Sequence, residues 1–109
     1  MKSNFDKALT ILREGGVIAH ATETCYGFAC DIFNKRALTR LYKLKKMPRS
    51  KPVSIMVSSL DMAKKYGIFN RAALKMAKKY WPGPLTIIVK KKKSLPSFLN
   101  PSAKTIGIR

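Results

Sequence analysis

The chain has 109 residues, with 23 lysines and arginines against five acids, a formal net charge of +18 and 46% hydrophobic residues. That length allows one domain at most, the apolar content excludes a disordered chain, and no apolar run approaches the roughly 20 residues of a membrane span. The stretch from Met1 to Arg13 is charged and amphipathic, without the apolar core of a secretory signal, so a cytoplasmic location is expected.

Ser3 or Asn4 is placed to cap a first helix whose apolar positions Phe5, Leu9 and Leu12 follow the i, i+4, i+7 spacing. Gly15-Gly16 is expected to stop it. Residues 17–19 read as a buried strand leading into the polar turn Thr22-Glu23-Thr24, and residues 26–32 as a second strand in which Gly27 allows close backbone approach. Asn34 is set to cap the next helix, with Leu38, Leu41 and Tyr42 on one face. Lys45 falls on that same face in the last turn, so its ammonium is directed along the apolar side. It is either a cation held toward a site or a snorkelling lysine that covers apolar surface.

Pro48 is expected to end this helix, with a basic loop over residues 47–52 and a strand over 53–57. Ser58 or Ser59 caps a short helix that ends at Gly67, and Asn70 caps another with Ala73, Met76, Ala77 and Tyr80 at core spacing. Trp81-Pro82-Gly83-Pro84 makes a rigid turn into a strand over residues 85–89, and Lys90 to Lys93 reads as the exposed end of a hairpin. Thr105 to Ile108 starts a further strand. Strands joined partly by helices and partly by shorter loops predict an α/β (α+β) fold, a mixed β-sheet with helices packed on it.

Much familiar chemistry is missing. Neither Gly-rich phosphate cradle occurs in the sequence. Cys25 and Cys30 lack zinc spacing, and His20 is the only histidine, so no metal site is expected. Both thiols are expected to be buried in a reducing compartment, and nothing near Cys25 in sequence would lower its pKa. His20 suits a core or pocket-edge place in its strand. Five scattered carboxylates offer no acid–base pair. What remains is a hydroxyl-rich turn, a helix-end lysine and a basic loop, a set suited to binding anions and orienting substrates. Every charged residue from Met62 to Arg109 is basic. Such a surface either attracts polyanions, nucleic acid first, or simply solvates several faces.

Four segments in order resemble the YrdC-like family. GVIAHATETCYG over residues 16–27 is similar to its opening motif G-G-[VI]-[IV]-A-x-P-T-[ED]-T-x-Y-G, and LKKMPRSKPV over 44–53 to its L-K-x-R-P-x-x-[KN]-P-L loop. WPGPLT over 81–86 matches W-P-G-P-[LV]-T, and TIGIR over 105–109 resembles T-[VI]-G-[VI]-R. The resemblance implies a twisted sheet beside a concave, positively charged cavity. Its implied activity is that of a threonylcarbamoyl-AMP synthase. L-threonine and bicarbonate form a carbamate that attacks the α-phosphate of ATP, pyrophosphate leaves, and the adenylate supplies threonylcarbamoyladenosine modification of tRNA. ATP is then a substrate accompanied by Mg²⁺, with no tightly bound organic cofactor.

By the same resemblance Thr24 and Arg109 would bind threonine, the latter by a bidentate pairing with its carboxylate. Lys45 would act catalytically at the carbamate or phosphate end. Met47, Arg49, Lys51 and Thr105 fall at the nucleotide, and Tyr26, Met56 and Thr86 at the cavity wall. Met47 replaces a family arginine that Arg49 is expected to stand in for, Met56 replaces a histidine of some members, and Ala21 replaces a proline. Family domains continue past the G-[VI]-R strand into an S-x-N segment. Residues 1–109 therefore read as the N-terminal portion of such a domain, incomplete at the C-terminus, and association as a homodimer or with a complementing chain is expected. Expected partners are tRNA or tRNA-modification proteins, with no membrane. The alternative is a non-catalytic basic module that binds tRNA or other RNA.

Overall fold

A computed structural model describes residues 3–21 and 26–109, with the backbone alone described at His20, Ala21 and Tyr26. The chain divides into two compact units, Met1–Pro48 and Arg49–Arg109.

In the first unit, helix α1 spans Asn4–Arg13. Ser3 is its cap: the Ser3 hydroxyl accepts from the Asp6 backbone N–H at 3.1 Å and donates to the Asp6 carboxylate at 3.0 Å, which satisfies one orphan amide of the first turn. The other end closes as a Schellman motif. The Gly15 N–H reaches the Leu12 carbonyl at 3.1 Å and the Gly16 N–H the Ile11 carbonyl at 2.8 Å, with Gly15 at φ 83°. A side chain is excluded there twice over, by φ and by Asn34 Nδ2, which lies 2.7 Å from where a Cβ would stand. The expected apolar stripe is only partly covered: Phe5 is 71% exposed, and no residue of α1 is fully buried.

Strands β1, Ile18–Ala21, and β2, Tyr26–Ala29, pair antiparallel with Ala21 opposite Tyr26. The predicted turn Thr22-Glu23-Thr24 between them lies outside the described residues. β2 stops short of the expected Ile32, because Asp31 builds a turn in which its carboxylate accepts the Phe33 N–H and its carbonyl the Asn34 N–H. Helix α2, Lys35–Leu44, is capped by Asn34 and buries Ala37, Leu38, Leu41 and Tyr42. Arg40 donates to the Gly15 carbonyl at 2.9 Å, placing a cation at the negative end of α1. α2 ends before Pro48, in a second Schellman motif: Lys46 N–H to the Lys43 carbonyl and Met47 N–H to the Tyr42 carbonyl, each at 3.1 Å. Its left-handed residue is Lys46, at φ 52°.

In the second unit, helix α3 (Leu60–Lys64) is capped by Ser59, strand β3 is Gly67–Ile68, and helix α4 (Arg71–Tyr80) is capped by Asn70. Strands β4, Ile87–Lys91, and β5, Thr105–Ile108, complete an antiparallel sheet in the order β3-β4-β5. Gly67 belongs to β3 rather than ending a helix; a Cβ there would stand 2.4 Å from Val89 Cγ2. On the far side of β5, residues 53–57 run parallel to it. The pairing is narrower than the expected strand, a single bridge from Ile55 to Ile108 flanked by backbone bonds. The sheet is thus mixed.

Ile87 and Val89 of β4 and Ile106 and Ile108 of β5 are buried on one face with Ile55, each stabilising by roughly 1.5–3 kcal/mol. α4 corrects the expected core. Ala73 and Ala77 are buried, but Met76 and Tyr80 are more than 40% exposed. Small side chains let a helix approach a sheet closely, and the larger ones flank the line of contact.

Two expectations about the end of the chain shift. The strand expected at 85–89 begins at Ile87, because the Leu85 carbonyl accepts the Trp81 indole N–H at 2.8 Å and stays in the preceding turn. The lysine run is not an idle hairpin end. Lys90 and Lys91 belong to β4, and Lys91 Nζ donates to the Leu99 and Asn100 carbonyls at 3.0 and 2.8 Å.

Candidate functional site

Alternation along β5 decides which side chains leave the core. Ile106 and Ile108 point inward, so Thr105, Gly107 and the following Arg109 share the opposite, open face. In β4 the same parity puts Ile88, 71% exposed, on that face, since Ile88 pairs with Gly107. In the parallel segment Ile55 is buried, so Ser54 and Met56 project with Arg109. Thr86 joins them from just before β4: a Cβ on Gly107 would lie 3.0 Å from Ser54 Oγ and 3.1 Å from Thr86 Cγ2. The missing side chain at Gly107 therefore forms the floor of a hollow of about 180 Å³. Ser54, Thr86, Thr105 and Asn100 line it.

The walls of this hollow are held by backbone pairing. The Arg109 N–H donates to the Ile55 carbonyl at 3.0 Å and the Arg109 carbonyl accepts the Val57 N–H at 3.0 Å, so the half-buried arginine leaves a backbone fixed on its parallel side. Asn100 extends the ladder with its side chain. Its carboxamide oxygen accepts the Val53 N–H at 2.9 Å and its NH₂ donates to the Val53 carbonyl at 2.8 Å. Asn100 is 5% exposed, at φ 46°, a conformation that Asn tolerates better than most residues.

Four residues expected from sequence (Met56, Thr86, Thr105 and Arg109) thus share one open sheet face. Arg49 and Lys51 are exposed in the loop before it, within the same unit. Lys45 belongs to the first unit and is the exposed C-cap of α2, one residue beyond the helix rather than on its buried face. Met47 takes the second position past that cap and is half-buried, where a Schellman motif usually carries an apolar residue. Tyr26 is placed by its backbone in β2, and Thr24 lies outside the described residues.

Ser54 and Asn100 were missed by sequence reasoning. Ser54 could have been found from its place one residue before buried Ile55. Asn100 offered only the turn signal of Asn-Pro.

The donor set is one of hydroxyls, amides and cations. Among the described residues no group of three or more His, Cys, Asp or Glu could hold a metal ion, and no helix is long and apolar enough to cross a membrane. Half-buried Cys30 is a free thiol whose pKa is pushed up by burial and then by the Asp31 carboxylate, so it is protonated and poorly nucleophilic. Cys25 lies outside the described residues.

The fold is thus α+β, with hydroxyls around a small hollow on its open sheet face and Arg109 on that same face. More particularly, residues 10–109 match the Sua5/YciO/YrdC family, described by the words "Telomere recombination", and the chain belongs to it. A threonylcarbamoyl-AMP synthase of Psychromonas ingrahamii is 33% identical over 99% of this chain and 58% of that protein. The crystal structure of Pyrococcus abyssi Sua5 complexed with L-threonine superposes with a TM-score of 0.88 at 29% identity, covering 94% of this chain and 31% of that one. Escherichia coli YciO gives a TM-score of 0.83 at 32% identity over 94% of this chain and 50% of that one. The chain spans about half the length of the curated relatives it matches.

Proposed function

We propose that this chain takes part in threonylcarbamoyl-AMP synthesis, forming L-threonylcarbamoyladenylate from L-threonine, bicarbonate and ATP for threonylcarbamoyladenosine modification of tRNA. The observation that carries this reading is an open sheet face on which Thr86 and Thr105 line a hollow and Arg109 lies by strand parity, in a chain whose relatives include threonylcarbamoyl-AMP synthases and a Sua5 complexed with L-threonine.

The physical demand is to bring anions together. Two unit charges 4 Å apart repel by about 4 kcal/mol near a protein surface, so the site must supply cations where carbamate meets triphosphate. In this reading the Arg109 guanidinium pairs with the threonine carboxylate in a bidentate fork, and Thr24 hydrogen-bonds the same substrate. Lys45 offsets charge at the carbamate or α-phosphate, while Arg49 and Lys51 face the nucleotide and Thr105 donates to ATP. Mg²⁺, arriving with ATP, shares the neutralisation of its phosphates. Met47 has no charge to contribute, and Arg49 takes the place of the family arginine. The adenylate then passes to tRNA or to the proteins that modify it.

The test is pyrophosphate release from ATP, with and without threonine and bicarbonate. Release that needs both supports the proposal. Release indifferent to either substrate overturns it.

A further inference from the structure

A second charged region lies away from the open sheet face. The backbone of β4 leaves the sheet at Lys91, and its continuation crosses the end of α3: the Lys92 N–H donates to the Tyr66 carbonyl at 2.9 Å, Lys92 Nζ to the Lys64 carbonyl, and the Ser94 hydroxyl to the Lys65 carbonyl. These bonds set the pair Lys64–Lys65 beside the pair Lys92–Lys93. Lys104 comes in from just before β5, since the Lys91 N–H donates to its carbonyl at 2.9 Å. Apart from half-buried Lys91, whose ammonium is spent on two loop carbonyls, all five are exposed.

A hollow of about 530 Å³ opens here, lined by Lys92, Lys93 and Lys104 with Leu95, Pro96 and Ser97. Asp61, the one acid of residues 49–109, sits at the opposite end of α3, in its first turn. Like charges gathered on neighbouring segments repel one another. The backbone bonds that impose this gathering leave the repulsion unrelieved by any carboxylate in the lining.

We propose that this end of the second unit is a binding site for the phosphate backbone of a nucleic acid, separate from the threonine and nucleotide face. The hollow is broader than one carboxylate requires, and its cations are lysines at successive positions on adjacent segments. They act as point charges spread over adjacent segments, which suits a run of phosphates more than a single small anion. Binding here does not depend on the synthase reading.

The experiment is fluorescence anisotropy of a labelled RNA hairpin across a potassium chloride series, with the triple variant Lys92→Gln, Lys93→Gln, Lys104→Gln. A control triple, Arg71→Gln, Lys75→Gln, Lys78→Gln, removes equal charge from the exposed side of α4. Because Lys92 also bonds the end of α3, the double variant Lys93→Gln, Lys104→Gln is read alongside, with thermal unfolding to confirm each fold. The site triple is expected to weaken binding roughly tenfold or more and to flatten the slope of log K against log salt by about 2, with the double variant losing about two-thirds as much slope. The control is expected to change the slope by less than about 0.5. Equal losses in the two triples mean diffuse charge and overturn the proposal. So does tight binding of inorganic polyphosphate with no binding of RNA.

Discussion

Replacing Asn100 with alanine removes the carboxamide that stands in for a strand partner at Val53. Both lost hydrogen bonds are short, 2.9 and 2.8 Å, and Asn100 is 5% exposed. Val53 is half-buried, so water reaches its stranded N–H and carbonyl only in part. Taking about 1 kcal/mol for each bond, and about 1 more for holding alanine at φ 46°, the expected loss is about 3 kcal/mol. Urea unfolding followed by circular dichroism measures it. Asn100→Gly separates the contributions: it loses the same bonds but relieves the backbone, so it should be more stable than Asn100→Ala by a few tenths to about 1 kcal/mol. Asn100→Asp keeps an acceptor for the Val53 N–H yet sets a carboxylate against the Val53 carbonyl, and should be no better than alanine. An Asn100→Ala protein within about 0.5 kcal/mol of wild type would refute the claim that this side chain extends the ladder.

Other consequences are narrower. Lys46→Gly should stabilise the chain by about 0.5–1 kcal/mol in urea unfolding, since a lysine at φ 52° is strained and the motif there suits glycine. Gly67→Ala should cost about 1–3 kcal/mol in the same assay, because its Cβ would stand 2.4 Å from Val89 Cγ2 in the core. In a Cys25→Ser background, Cys30 should react with iodoacetamide more slowly in the folded than in the urea-unfolded protein. The raised pKa leaves less thiolate at any pH below it, and the folded rate should climb with pH above the range where an ordinary thiol has already titrated. By linkage, the stability this shift contributes is fully present below the unfolded thiol's pKa and is lost as pH rises from there through the raised folded one.

Local chemistry was the readable part of the fold. Asn34 and Asn70 cap as expected, and Ser3 and Ser59 are the ones chosen from two candidates each, because an Asx or Ser oxygen reaching the amide three residues on is a short-range event. Periodicity told which side of α4 faces inward, but not how near the sheet lies. Met76 and Tyr80 therefore misled while Ala73 and Ala77 took the contact. Lys91 read as a solvated lysine, since nothing local announces the carbonyls of Leu99 and Asn100 that it meets.

The site divides in the same way. Met56, Thr86, Thr105 and Arg109 were picked from motif resemblance, and strand parity explains why they share a face. Ser54 and Asn100 depend on pairings across 53 and 47 residues, to Gly107 and Val53, which no window of sequence displays. Met47 read as a lost cation; its place two residues beyond the α2 cap gives it a structural reason to be apolar.

The central claim is that the open face of β5 holds an amino-acid carboxylate through Arg109. Isothermal titration of L-threonine into the wild-type chain and into Arg109→Lys, with Arg109→Ala beside them, tests it most directly. The expected result is measurable binding to wild type, weakened roughly tenfold by lysine, which keeps the charge but loses the bidentate fork, and further by alanine. Threonine binding of equal strength in all three proteins would contradict the account.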